Sequence, residues 1–211
     1  MPATSDLRLI TRARAQPART AVVAAEGTFT YDDLLDASAR VAASLLNGAA
    51  DLREARVAFI APPGWHYVSA QWGIWRAGGI AVPLALSHPP AELEYVIQDA
   101  GAAVVLAHPE LADRVQPIGE REGRRFLTTE EALQAEPAPL PTVEEERRAM
   151  MIYTSGTTGR PKGAMLTHAS LLAAVDVTLA GRPVADDDVY LFPFPLCHVA
   201  GYNVLAHHRR G

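Results

Sequence analysis

The sequence predicts an α/β fold in which helices pack on a mainly parallel β-sheet, and three observations carry that expectation. Apolar runs of strand length recur at Val57–Ala61, Ile80–Leu84, Ala103–Ala107 and Ala149–Tyr153. Stretches of about 10–15 residues with helically spaced apolar side chains alternate with them, the pattern that makes parallel sheets. Glycine and proline mark the junctions, at Pro62-Pro63-Gly64, Gly78-Gly79, Pro89-Pro90 and Gly101.

In chain order, Asp6–Gln16 reads as a short helix with Leu7, Ile10 and Ala13 on one side and Pro17 as its stop. Thr20–Ala25 and Thr28–Thr30 flank Glu26-Gly27 as a candidate hairpin. Thr30, with Asp33 in the reciprocal capping-box position, starts a helix that places Leu34, Ser38, Val41 and Leu45 on one face and ends at Asn47-Gly48. Val57–Ala61 is followed by a helix over Trp65–Ala77. Its stripe of Trp65, Trp72 and Trp75 could be a ligand platform, but core packing is the commoner role. After Ile80–Leu84, Pro89-Pro90 opens a helix to Ala100 with Leu93, Val96 and Ile97 inward, and Ala103–Ala107 is again a strand.

Residues 130–148, with Pro137, Pro139, Pro141 and the run Glu144-Glu145-Glu146, read as an acidic, proline-rich surface connection whose glutamates are solvated. Thr167 caps a helix from His168 to Leu179 with Leu171, Leu172 and Val175 on its apolar side. Asp186-Asp187-Asp188 suggests a metal, but adjacent side chains diverge, so a solvated turn before a strand at Val189–Phe192 is expected. His207-His208-Arg209-Arg210 is no metal site either, because adjacent histidines diverge and no carboxylate accompanies them.

Composition narrows the function classes. The 211 residues are 49% hydrophobic and 20% charged, which describes an ordinary globular chain of one large domain or slightly more. A net charge of −5 without a basic cluster argues against a nucleic-acid partner. The single cysteine, Cys197, excludes a disulfide framework and fits a reducing compartment. No apolar run reaches the ~18 residues of a membrane span, and the N-terminus lacks a signal-peptide core. The cytoplasm is the expected address.

The stretch Met150–His168 stands apart. After the apolar run comes Thr154-Ser155-Gly156-Thr157-Thr158-Gly159, then Arg160-Pro161-Lys162-Gly163. Hydroxyls, glycines that let backbone N–H groups approach an anion, and two cations suit a polyphosphate, although a polar turn between strands is the plainer reading of glycine and threonine alone. The spacing is not that of a Walker A loop, since Lys162 is preceded by proline and followed by glycine. Eighteen of the nineteen basic residues are arginine and Lys162 is the only lysine. Arginine's fork and lysine's compact ammonium are not equivalent, and this position takes the ammonium.

Residue for residue, Ile152–Lys162 resembles the phosphate-binding signature of the adenylate-forming enzymes: acyl- and aryl-CoA synthetases, peptide-synthetase adenylation domains and luciferases. Gln71–Ala107 is similar to the acyl-CoA synthetases among them, nearest to the malonyl- and methylmalonyl-CoA type, though that likeness lies in scaffold. Phe192–Gly201 resembles the family's proline-x-x-histidine segment. Alone, His198 would more often be structural; the resemblance places it near the acyl pocket and the α-phosphate, and Gly201 near the pocket wall.

The resemblance implies the N-terminal portion of the large domain of such an enzyme over residues 1–211, with the phosphate-binding loop at 152–163 and the C-terminal domain absent. It implies ATP bound by Thr154, Ser155, Gly156, Thr157, Thr158, Gly159 and Lys162, with Mg2+ as charge partner and Thr158 as its possible ligand. Lys162 and His198 are the expected catalytic residues, and His198 and Gly201 the expected pocket residues. The expected activity is conversion of a carboxylic acid to acyl-AMP and its transfer to coenzyme A. A missing C-terminal portion or complementary chain would supply the family's second lysine, since Lys162 is the only one here. Two alternatives stand beside this: a catalytically incomplete nucleotide-binding or interaction module, and an adenylation domain that loads a carrier protein.

Overall fold

The computed structural model describes residues 7–154, 160–182, 184–198 and 201–210. Helix α1 (Arg8–Ala15) leads to an antiparallel hairpin, β1 (Thr20–Ala24) and β2 (Gly27–Thr30), and then to α2 (Tyr31–Leu46). The expected capping box forms. Asp33 N–H donates to the Thr30 hydroxyl at 3.2 Å, and Thr30 N–H donates to the Asp33 carboxylate at 2.7 Å. Leu34, Ser38, Val41 and Leu45 are all buried, and Asn47 ends the helix in the left-handed conformation with φ of 47°.

The remaining strands are β3 (Arg56–Ile60), β4 (Ile80–Pro83), β5 (Val104–Ala107), β6 (Arg125–Thr128), β7 (Arg148–Thr154) and β8 (Lys162–Thr167). They form one six-stranded sheet in the order β6-β5-β3-β4-β7-β8, parallel except for the antiparallel pair β7 and β8. Residues of the central strands alternate between two cores. Val57, Phe59, Val104 and Leu106 face one side, while Ala58, Ile60, Val105 and Ala107 face the other. Burial on both faces is why these strands read as unbroken apolar runs.

The first core packs α3 (Trp65–Arg76), α2, α1, α7 (His168–Gly181) and α8 (Tyr202–Arg210) against the sheet; the second packs α4 (Pro90–Asp99) and α5 (Ala112–Arg121). Trp65, Trp72 and Trp75 are core residues, and the Trp75 indole donates to the Ala149 carbonyl at 2.7 Å, tying α3 to β7. Arg147 makes a two-point ion pair with Asp51 at 2.7 and 2.9 Å and also donates to the Gly78 carbonyl, fastening the entry to β7.

Strand β8 has no counterpart among the expectations, and the structure departs from them in three further places. Residues 109–128, to which the sequence reading assigns no element, hold a short 3-10 turn (Pro109–Leu111), α5 and β6. The connection at 130–148 begins inside helix α6 (Thr129–Leu133), and Glu145 pairs with Arg8 at 2.8 Å rather than lying free in solvent. Val189–Phe192 forms no strand: Val189 and Leu191 are 88% and 83% exposed. A strand exists only where a neighbour accepts its ladder, and none of the described strands pairs with this segment.

Candidate functional site

Lys162 opens β8 opposite Thr154, the last residue of β7, so the two bracket the turn of an antiparallel hairpin. Both are exposed. Gly163 follows Lys162 opposite Tyr153, and a Cβ there would run into the Met151 side chain and the Tyr153 ring. Glycine inside a strand normally weakens it; here it admits a close side-chain crossing. Ser155, Gly156, Thr157, Thr158 and Gly159 lie outside the described residues.

The flanks of the turn are held from α4. The Tyr95 hydroxyl donates to the Pro161 carbonyl at 3.1 Å, and the Arg160 guanidinium sits 5.7 Å from the Tyr95 ring centroid. The Tyr153 hydroxyl donates to the Asp99 carboxylate at 2.7 Å, and burial together with that carboxylate raises the phenol's pKa. Tyr95 and Tyr153 meet edge to face with centroids 6.5 Å apart.

The second part of the site is a cavity of about 290 Å³. Ala61 and Pro63 after β3, Leu84–Ser87 after β4, Tyr67 of α3 and the segment Phe192–His198 line it. The lining is mostly apolar, with Ser87 and His198 among its few polar members. Tyr67 is buried and its hydroxyl donates to the Leu196 carbonyl at 2.9 Å, which seats the turn carrying His198. Gly201 N–H donates to the His198 carbonyl at 2.8 Å, and a Cβ on Gly201 would strike the Leu196 carbonyl. Burial raises the pKa of the Cys197 thiol.

Topology brings the two parts to one edge of the sheet. The chain passes from β3 to β4 through α3 on one face, then from β4 back to β5 through α4 on the other. That reversal opens a crevice at the carboxyl ends of β3 and β4, where ligands bind in open α/β sheets. The cavity occupies it. β7 runs parallel beside β4 with Ala81 opposite Met150; four residues further along each chain come Ala85, on the cavity wall, and Thr154. Thr154, Lys162 and His198 therefore share the carboxyl edge.

Among the described residues, no group of three or more His, Cys, Asp or Glu side chains is placed to hold a metal, and no helix is long and apolar enough to cross a membrane. The Thr154 hydroxyl at the hairpin mouth is a hard oxygen donor of the kind magnesium takes alongside phosphates and water. Tyr67, Tyr95 and Asp99 had no sequence signal: their partners lie 129, 66 and 54 residues away.

The sequence profile described as AMP-binding enzyme matches residues 9–211. The mitochondrial malonate–CoA ligase of Homo sapiens is 42% identical over 204 residues, covering 92% of this chain and 35% of that protein. The feruloyl-CoA synthase of Amycolatopsis sp is 35% identical over 198 residues, covering 93% and 40%. The ATP-bound MatB of Rhodopseudomonas palustris superposes with a TM-score of 0.80 at 27% identity, covering 97% of this chain and 44% of that one. The chain thus spans between about a third and just under half of the length of these relatives. By the extent of the profile match and by fold, the chain belongs to the AMP-binding enzyme family.

Proposed function

We propose that this chain is the N-terminal part of an ATP-dependent acyl-CoA synthetase, an acid–thiol ligase that works only with the remainder of the enzyme. The observation that carries this reading is the meeting, at one sheet edge, of the hairpin mouth bracketed by Thr154 and Lys162 with the apolar cavity that His198 lines. A carboxylate oxygen attacks the α-phosphorus of ATP, pyrophosphate leaves, and acyl-AMP remains. The coenzyme A thiol then displaces AMP to give the thioester. Negative charge builds on the departing pyrophosphate, and donors fixed in advance stabilise it as it develops. We assign that role to Lys162 and to Thr154, Ser155, Thr157 and Thr158, with Gly156 and Gly159 permitting close approach.

His198 and Gly201 are assigned to the acyl side of the site. Magnesium bound with the nucleotide would neutralise phosphate charge, with Thr158 as the ligand from this chain. The acid is proposed as a class only; the relatives are named for malonate and for a feruloyl product, so both acids head the panel to be tried. The cytoplasm is retained as the proposed address, alongside a relative named as mitochondrial.

Carboxylate-dependent pyrophosphate exchange tests the reading. This chain alone should show none, and exchange should appear when the downstream sequence is restored. ATP binding with no gain on completion would instead favour a non-catalytic nucleotide module, and transfer to a carrier protein rather than coenzyme A would favour an adenylation domain.

A further inference from the structure

Helix α4 reaches both flanks of the hairpin mouth from one side. Tyr95 and Asp99 stand one helical turn apart on it, which puts them on the same face. Tyr95 holds the C-terminal flank twice: its hydroxyl donates to the Pro161 carbonyl at 3.1 Å, and its ring carries the Arg160 guanidinium. Asp99 holds the N-terminal flank by accepting the Tyr153 hydroxyl at 2.7 Å. The two tyrosine rings close the arrangement edge to face. The Pro161 carbonyl belongs to the peptide that joins Lys162, so holding it orients that peptide plane and the start of the lysine side chain. Tyr153 likewise precedes Thr154. α4 thereby grips the residues adjoining both bracketing positions.

We infer that Tyr95 and Asp99 form a clamp that sets the spacing and orientation of Thr154 and Lys162, with Tyr95 as a positioning residue for recognition of the ATP polyphosphate. This rests on reading the hairpin mouth as the phosphate site. A lysine stem has many rotamers, and fixing its backbone removes part of the entropy lost when its ammonium meets an anion. The clamp acts on the nucleotide side of the site; the cavity, on the other side of β4, is built from different residues.

The experiment is steady-state pyrophosphate exchange in the full-length protein, with Tyr95→Phe, Tyr95→Leu and Lys162→Ala beside wild type. Tyr95→Phe keeps the ring and removes the bond to Pro161. It should raise KM for ATP about fivefold, the worth of one hydrogen bond, while KM for the carboxylic acid and the melting midpoint stay near wild type. Tyr95→Leu also loses the Arg160 contact and should raise KM for ATP further. An ATP KM unchanged in both variants overturns the clamp, as does a parallel rise in both KM values with a lowered melting midpoint. Failure of the underlying reading looks different: wild type without exchange, or Lys162→Ala at full rate, removes the phosphate site itself and the clamp with it.

Discussion

Gly163 and Tyr67 show how single atoms shape the site. A methyl group on Gly163 would displace the end of the Met151 side chain and crowd the Tyr153 ring, so Gly163→Ala should cost about 1 kcal/mol, the low end of overpacking. Denaturant unfolding would register the loss, and pairing it with Met151→Ala should recover part. Tyr67→Phe removes one oxygen and leaves the Leu196 carbonyl without its 2.9 Å partner. The cost of an unpaired buried acceptor is about 1–3 kcal/mol. Cys197, the only cysteine, sits in the turn that Tyr67 seats. A thiol reagent therefore reads that turn directly: Cys197 should react faster in Tyr67→Phe than in wild type, and an equal rate would mean that Tyr67 does not hold the turn. Lys162 was legible at this scale because it breaks the chain's own preference for arginine. The tyrosines were not, because a hydroxyl's partner is decided by tertiary contact.

At the scale of elements, α7 and α8 each carry a buried histidine. Burial pushes His168 and His208 down to about 4, from an ordinary value of 6.5. The His168 ring lies edge to face with Trp75, and one nitrogen of His208 lies 3.1 Å from the Ala21 carbonyl. Below pH 6.5 the unfolded chain binds protons at these positions and the folded chain does not, so stability falls as pH drops toward 4 and levels off beneath it. Urea unfolding at pH 7 and pH 4.5 should differ by up to about 2–3 kcal/mol per histidine, and His168→Leu should flatten that dependence. Elements with a local signature were legible in sequence: the apolar strands β3, β4 and β5, and the capped helices α2 and α7. Ala112–Arg121 was masked by Pro117 inside the helix, and β8 by its glycine and its dependence on β7 for a partner. Val189–Phe192 has the composition of a strand, yet pairing makes a strand and composition alone does not.

For the whole molecule, the order β6-β5-β3-β4-β7-β8 does what no single motif can. Reversal of the chain at β3 and β4 opens the crevice, and the parallel neighbour β7 brings the hairpin mouth to the same edge. The class of fold was legible from alternating periodicity, but this adjacency was not, because sequence spacing carries no strand order. Thr154 and His198 are 44 residues apart in sequence and meet the same edge only through the sheet. The most direct measurement of the proposed function is therefore carboxylate-dependent pyrophosphate exchange in the full-length protein, wild type against Lys162→Ala. The expected result is exchange with at least one acid of the panel and a loss of about 10²–10³-fold in the variant, the cost of removing one fixed donor to developing charge. Exchange at the wild-type rate in Lys162→Ala would contradict it.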